Sequence, residues 1–257
     1  MKYTFYLLFL CTFLSCRKQT IEENTIIDNL ADYITDNPDN RLVRDSLIAC
    51  ALGGQMGLFT NESLPVSILF YPEGNASDFK YFETENIEVN PEDLENYQLK
   101  ELGDSPIFNG YLRRFERAAI DRNTWGRVTF IKDGNLHISN AIRLKYNDKP
   151  TEYNPDLLAV DQSEKLAPNF TWEDGVIPEN VIYFHALLDA SGELVSGTYT
   201  FDRQFQFYNL SNVVLNIRDI NPPPSLTPNE AYTLVIMGVS IDNWVNLLLE
   251  TSFIASE

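Results

Sequence analysis

Val128-Thr-Phe-Ile-Lys-Asp-Gly-Asn-Leu-His-Ile138 decides the class of the fold. Val128-Thr-Phe130 alternates apolar and polar, Leu136-His-Ile138 does the same, and Asp133-Gly134 lies between them. An Asp-Gly pair between two alternating runs is a strong short-range hairpin signal, because a two-residue turn needs positive φ at both central positions. The stretch therefore predicts two antiparallel strands.

The same texture continues outward. Leu47 to Leu52 is apolar and ends at Gly53-Gly54; Leu64 to Tyr71 reads as a strand closed by Pro72-Glu-Gly74. Phe79, Tyr81 and then Ile87, Val89 mark shorter strands, and Asn90 to Pro106 is acidic and rich in turn residues. Tyr111 to Ala119, Trp125 to Ile131 and Ile142 to Tyr146 complete a first series. Lys149 to Pro168 carries Pro150, Pro155 and Pro168 among polar residues and reads as a boundary. Beyond it, Val181 to Leu188 is apolar on both faces, as a central strand would be. Leu194 to Phe201, Phe205 to Tyr208 and Val213 to Ile217 follow, until Asn221-Pro-Pro-Pro224 breaks the chain. Short strands with frequent turn signals predict antiparallel sandwiches.

Leu226-Thr-Pro-Asn-Glu-Ala-Tyr232 resembles the Leu-x-Pro-x-x-x-Tyr turn of fibronectin type III domains. In that family the Tyr begins the penultimate strand, which implies strands over Tyr232 to Val239 and Val245 to Ile254. Trp172 stands where the family's core Trp is sought, at a longer spacing from Tyr232 than is usual there. The expected architecture is all-β, with two immunoglobulin-like β-sandwich domains in tandem over 43–150 and 167–257. A signal peptide (1–15) and a lipidated tether with a short helix (16–42) precede them. Ile26, Ile27, Leu30, Tyr33 and Ile34 recur at helical spacing, Thr20 and Glu23 have capping-box spacing, and Asp36-Asn-Pro38 ends the pattern, so the helix is expected over about residues 22–35.

Met1 to Cys16 supplies an address. Lys2 precedes an apolar run from Tyr3 to Leu14, shorter than the ~20 residues of a membrane span and followed by a small residue, as in a secretory signal. Phe13-Leu14-Ser15-Cys16 resembles the lipobox of bacterial lipoproteins, with Phe13 where that family usually has Leu. The resemblance implies cleavage before Cys16, acylation of Cys16, and a partner that is a membrane reached through that lipid anchor. It also implies a cell-envelope location, at the outer membrane or cell surface. One acyl chain binds a bilayer only marginally, so the two or three chains of that family are what make an anchor stable.

The chain has 257 residues, and removing the leader's fifteen leaves 242, enough for one large domain or two of ordinary size. Loss of Lys2 takes the net charge from −18 to −19, a balance that disfavours nucleic acid. Once Cys11 has left and Cys16 is acylated, only Cys50 remains, so no internal disulfide is expected. Cys50 lies in an apolar run and reads as a small buried hydrophobe.

Signals for chemistry are sparse. His137 reads as a surface strand residue and His185 as a core histidine. Asp36-Asn-Pro-Asp-Asn40 lacks the Gly and Glu of an EF-hand loop. No zinc, phosphate-loop or nucleophile-elbow motif is present, so no cofactor and no metal are expected. With 37 acids, a glycosidase-like carboxylate pair carries no information. Arg113, Arg114, Arg117, Arg122 and Arg127 form the one basic concentration, and Arg113, Arg114 and Arg117 are the candidate binding residues. They would hold an anion or an acidic glycan, or else pair with acids across strands. The expectation is a non-catalytic module binding a glycan or an envelope protein. A scaffold component and a carboxylate-based hydrolase are the alternatives.

Overall fold

The computed structural model describes residues 29–45, 49–54, 57–119, 121–217 and 226–256. The leader, Cys16 and Asn221 to Pro224 lie outside them. Within them the chain is all-β apart from one short helix and four single 3-10 turns.

Helix α1 (Leu30–Thr35) falls within the expected 22–35, of which residues 22–28 lie outside the described residues. Asn29 is extended and bridges to Gln98, and its side chain accepts from the backbone N–H of Asp32, so it caps the helix. The strands of the first half are β1 (Arg41–Asp45), β2 (Ala49–Gly53), β3 (Val66–Phe70), β4 (Ser77–Glu83) and β5 (Gln98–Lys100). They continue with β6 (Asp104–Ile107), β7 (Leu112–Arg117), β8 (Thr124–Lys132), β9 (Asn135–Ser139) and β10 (Ile142–Leu144). The second half holds β11 (Glu152–Tyr153), β12 (Leu158–Asp161), β13 (Asn169–Trp172), β14 (Asn180–Asp189) and β15 (Leu194–Thr200). It ends with β16 (Gln204–Gln206), β17 (Val213–Asn216), β18 (Ala231–Ser240) and β19 (Val245–Ile254). Asp133 and Gly134 both have positive φ between β8 and β9, as the hairpin signal requires. The strand expected at Ile87 and Val89 is a coil. Asn86 and Asn90 accept from the backbone two residues on, which closes Asx turns in place of a ladder.

Four sheets result: β1-β9-β8-β4-β5 with β10 on β8, then β2-β3-β7-β6, then β11-β19-β18-β14-β15-β17, then β12-β13-β16. Side-chain alternation along the strands builds a core between each successive pair. Ala49, Ile68 and Phe115 of the second sheet meet Tyr81, Val128 and Phe130 of the first. Leu52, Leu69 and Leu112 point the other way and meet Phe184, Ala186 and Met237 of the third. Tyr183, Leu187 and Ile236 leave the opposite face of the third sheet to meet Phe170, Trp172 and Phe205 of the fourth. Val181 to Leu188 is apolar on both faces because β14 lies inside the third sheet with a core on either side.

The β18–β19 turn ties the halves together. Trp244 is fully buried in the core of the first two sheets, and its Nε1–H donates to Lys149 O at 2.8 Å. Asn243 O accepts from Ala51 N at 3.0 Å, and Asp242 O accepts from Arg143 N at 2.9 Å. Gly53 leaves room for this turn: a Cβ there would lie 2.5 Å from Tyr146 Cδ2 and 2.9 Å from Trp244 Cη2. Thr151 in the connector accepts from Gly53 N at 3.0 Å and donates to Val245 O at 2.7 Å. The Tyr232 hydroxyl accepts from Thr227 N at 2.9 Å, fixing the turn before β18.

Candidate functional site

The arginine concentration is dispersed by strand alternation. Arg113 and Arg114 are successive on β7 and point to opposite faces. Arg113 pairs with Asp104 on neighbouring β6, and Arg114 lies 3.4 Å from Glu116 Oε2 and 3.4 Å from Ser105 Oγ. Arg127 is wholly buried and donates to Ser139 O, Pro91 O and Glu92 at 2.7–2.8 Å.

Arg117 has a different setting. It lies two residues after core Phe115 and so turns to the same inner face. Glu83 lies two residues after core Tyr81 on β4 and turns inward for the same reason. The two meet as a buried ion pair at the end of the core between the first two sheets. Glu83 also accepts from Tyr81 Oη at 2.9 Å and Thr124 Oγ1 at 2.9 Å, while Arg117 Nε donates to Ala118 O at 3.0 Å. Burial, and then the Glu83 charge, hold the Tyr81 hydroxyl well above its usual pKa. Burial works against the Arg117 charge, but the Glu83 carboxylate outweighs it and raises that pKa.

This pair lines a cleft of about 440 Å³. Lys100 and Gln98 reach it from β5, Arg122 from the loop before β8, and Glu85 and Leu102 complete the wall. Three cations and two carboxylates share the cleft, and Glu83 is already engaged by Arg117. The remaining balance favours an anionic group close to Lys100 and Arg122. Lys100 carried no signal in the sequence, since its place depends on β5 pairing with β4.

The other candidates have structural partners. His185 is buried, and its Nδ1 and Nε2 lie 2.7 and 2.9 Å from the Thr198 and Thr200 hydroxyls. His137 is not the surface residue its alternation suggested. Its ring stacks on Phe130 at 4.9 Å, and Nδ1 lies 2.6 Å from Asp45 Oδ2. Helix α1 covers the face to which Leu136 and Ile138 turn, so the alternate face is the core of the sandwich. Burial pushes the Cys50 thiol up to about 12, so it is not a thiolate near neutral pH. Among the described residues no group of three or more His, Cys, Asp or Glu side chains is placed to hold a metal.

No protein-family model matches the chain, and no curated protein matches it. Among solved structures, the chain is similar to the FN1–FN3 domains of chicken CNTN1. That similarity has 12% sequence identity and a TM-score of 0.30, over 85% of this chain and 69% of that one.

Proposed function

We propose that the protein is a non-catalytic binding module held at a bacterial envelope surface, where it takes up a glycan carrying acidic groups. The observation that carries this reading is the meeting of Lys100, Arg117 and Arg122 at one cleft in a chain of net charge −18. Its volume lies within the ~300–1,000 Å³ typical of small-ligand sites. Arg117 is held rigid by Glu83, so its position does not have to be ordered on binding. We read the four sheets as two immunoglobulin-like sandwiches, and the Tyr232 hydroxyl bond to Thr227 N fits the fibronectin type III turn. The leader pattern supports tethering through a lipid on Cys16.

Native electrophoresis through gels holding alginate or polygalacturonate tests the cleft. Retardation without shortening of the polymer, relieved in Lys100→Gln/Arg122→Gln, is the expected outcome. Shortening of the polymer would turn the reading to a hydrolase. Unretarded migration in both gels would remove acidic glycans as ligands. Metabolic palmitate labelling that vanishes in Cys16→Ser is the expected result for the anchor.

The scaffold reading has one observation of its own. Strand β17 is an uncharged edge of the third sheet, with Val214 and Leu215 exposed. Such an edge can accept a partner strand. Envelope cross-links that map to Val214 and Leu215 would favour it.

A further inference from the structure

A second cleft, electrostatically unlike the first, lies where turns of the first half meet the third sheet. It measures about 440 Å³ and is lined by Tyr71, Glu73, Asn109, Tyr111 and Glu193. Tyr71 and Glu73 come from the turn after β3, Asn109 and Tyr111 from the turn before β7, and Glu193 from the turn before β15. Glu73 and Glu193 are the ionic side chains on its wall, and Glu73 is paired with Lys132.

Both first-half turns are held in conformations that L-residues rarely adopt. Glu73 and Gly74 have φ of 48° and 53°, and Phe108, Asn109 and Gly110 have φ of 49°, 55° and 87°. Positive φ at a bulky Phe is an outlier. It persists because the Phe108 ring is buried, edge-on to Phe59 at 6.5 Å. Strain of this kind tends to collect at ligand clamps. The Tyr71 ring is likewise fixed, since its hydroxyl donates to Ile217 O at 2.9 Å. Burial, then Glu73 and Tyr111, raise the pKa of that hydroxyl, so Tyr71 stays neutral.

Tyrosine gives a rigid ring with an apolar face and a polar tip, and Asn with Gly gives adaptable hydrogen bonding at little entropic cost. Carboxylates accept from hydroxyl donors and repel anions. We infer that this cleft binds an uncharged polyhydroxylated ligand, a neutral glycan chain, with sugar rings on the tyrosine faces and their hydroxyls donating to Glu73 and Glu193. This goes beyond the acidic-glycan reading and does not depend on it.

Affinity electrophoresis of the chain lacking residues 1–23 in gels of starch, xyloglucan and galactomannan tests the site. At least one polymer should retard it. Tyr111→Ala and the isosteric Glu193→Gln should each weaken that retardation about tenfold, as loss of an anchoring contact does. Lys100→Gln/Arg122→Gln should leave it unchanged. Thermal melts of the variants separate loss of binding from loss of folding, and Glu193→Gln keeps the size and shape of the side chain. Retardation by none of the three polymers, or retardation indifferent to both Tyr111→Ala and Glu193→Gln, would overturn the inference. Retardation abolished by Lys100→Gln/Arg122→Gln would assign neutral glycan to the cationic cleft instead.

Discussion

His185 illustrates how much a single buried ring can reveal. Thr200 Oγ1 donates to Asp202 O at 2.7 Å, so it takes the ring Nε2–H as an acceptor. Nδ1 is then the acceptor for the Thr198 hydroxyl. The neutral tautomer is fully satisfied and the cation is not. Burial lowers the pKa to about 3 from an ordinary value near 6.5. Unfolded chains bind this proton near pH 6.5, whereas the folded chain does so only near pH 3. The stabilising contribution is therefore complete above pH 6.5 and falls as pH drops toward 3, by up to ~1.4 kcal/mol per pH unit. A His185→Gln variant should show a flatter melting temperature between pH 6.5 and 4 than the parent, whatever its absolute stability. Equal slopes would sink this account. Arg117 and Glu83 give a second test. Arg117→Leu strands a buried carboxylate and should cost about 3–5 kcal/mol in urea unfolding, while Arg117→Met with Glu83→Leu together should cost far less. The arginines were visible in the sequence as a concentration. Which of them faces the cleft was not, because Glu83 stands 34 positions from Arg117 and their meeting depends on the packing of two sheets.

Among elements, the β18–β19 hairpin carries the most consequence. Its strands were readable from Tyr232 and from long apolar runs, but the destination of its turn was not, since nothing local to Asp242-Asn-Trp244 names the other half of the chain as its partner. Trp244→Ala should destabilise the whole molecule by about 4 kcal/mol, the usual scale for deleting a large buried aromatic. Loss confined to the second half's strands, detected by hydrogen exchange, would contradict this. The β8–β9 hairpin lies at the opposite extreme. Asp133 and Gly134 are exposed, their turn was legible from two residues, and a short polar insertion there should leave stability within about 0.5 kcal/mol. Helix α1 was foreseen from its spacing, but its cap at Asn29 was not, because the bridge from Asn29 to Gln98 is a non-local contact that periodicity does not encode.

For the molecule as a whole, the core shared by the second and third sheets predicts that the halves unfold as one cooperative unit. Trp125 lies in the first half and Trp172 in the second, so Trp125→Phe keeps the second half's reporter and Trp172→Phe the first half's, each beside Trp244 at the junction of the halves. Their urea midpoints should agree once each is corrected for its own stability change, and separated transitions would refute the coupling. The all-β class was legible because alternation and turn residues are local. The stacking of four sheets was not, because a strand apolar on both faces looks the same whatever lies beyond each face. The parallel pairing of β1 with β9 adds a mechanical property. A chain gripped directly before Arg41 and directly after Ser139 feels tension at those two points. In a parallel pair those points lie at opposite ends of the ladder, so the bonds across the register from Arg41–Asn135 to Asp45–Ser139 carry load together in shear instead of opening one at a time. Separation of the two strands along that direction would then be governed by one unfolding barrier.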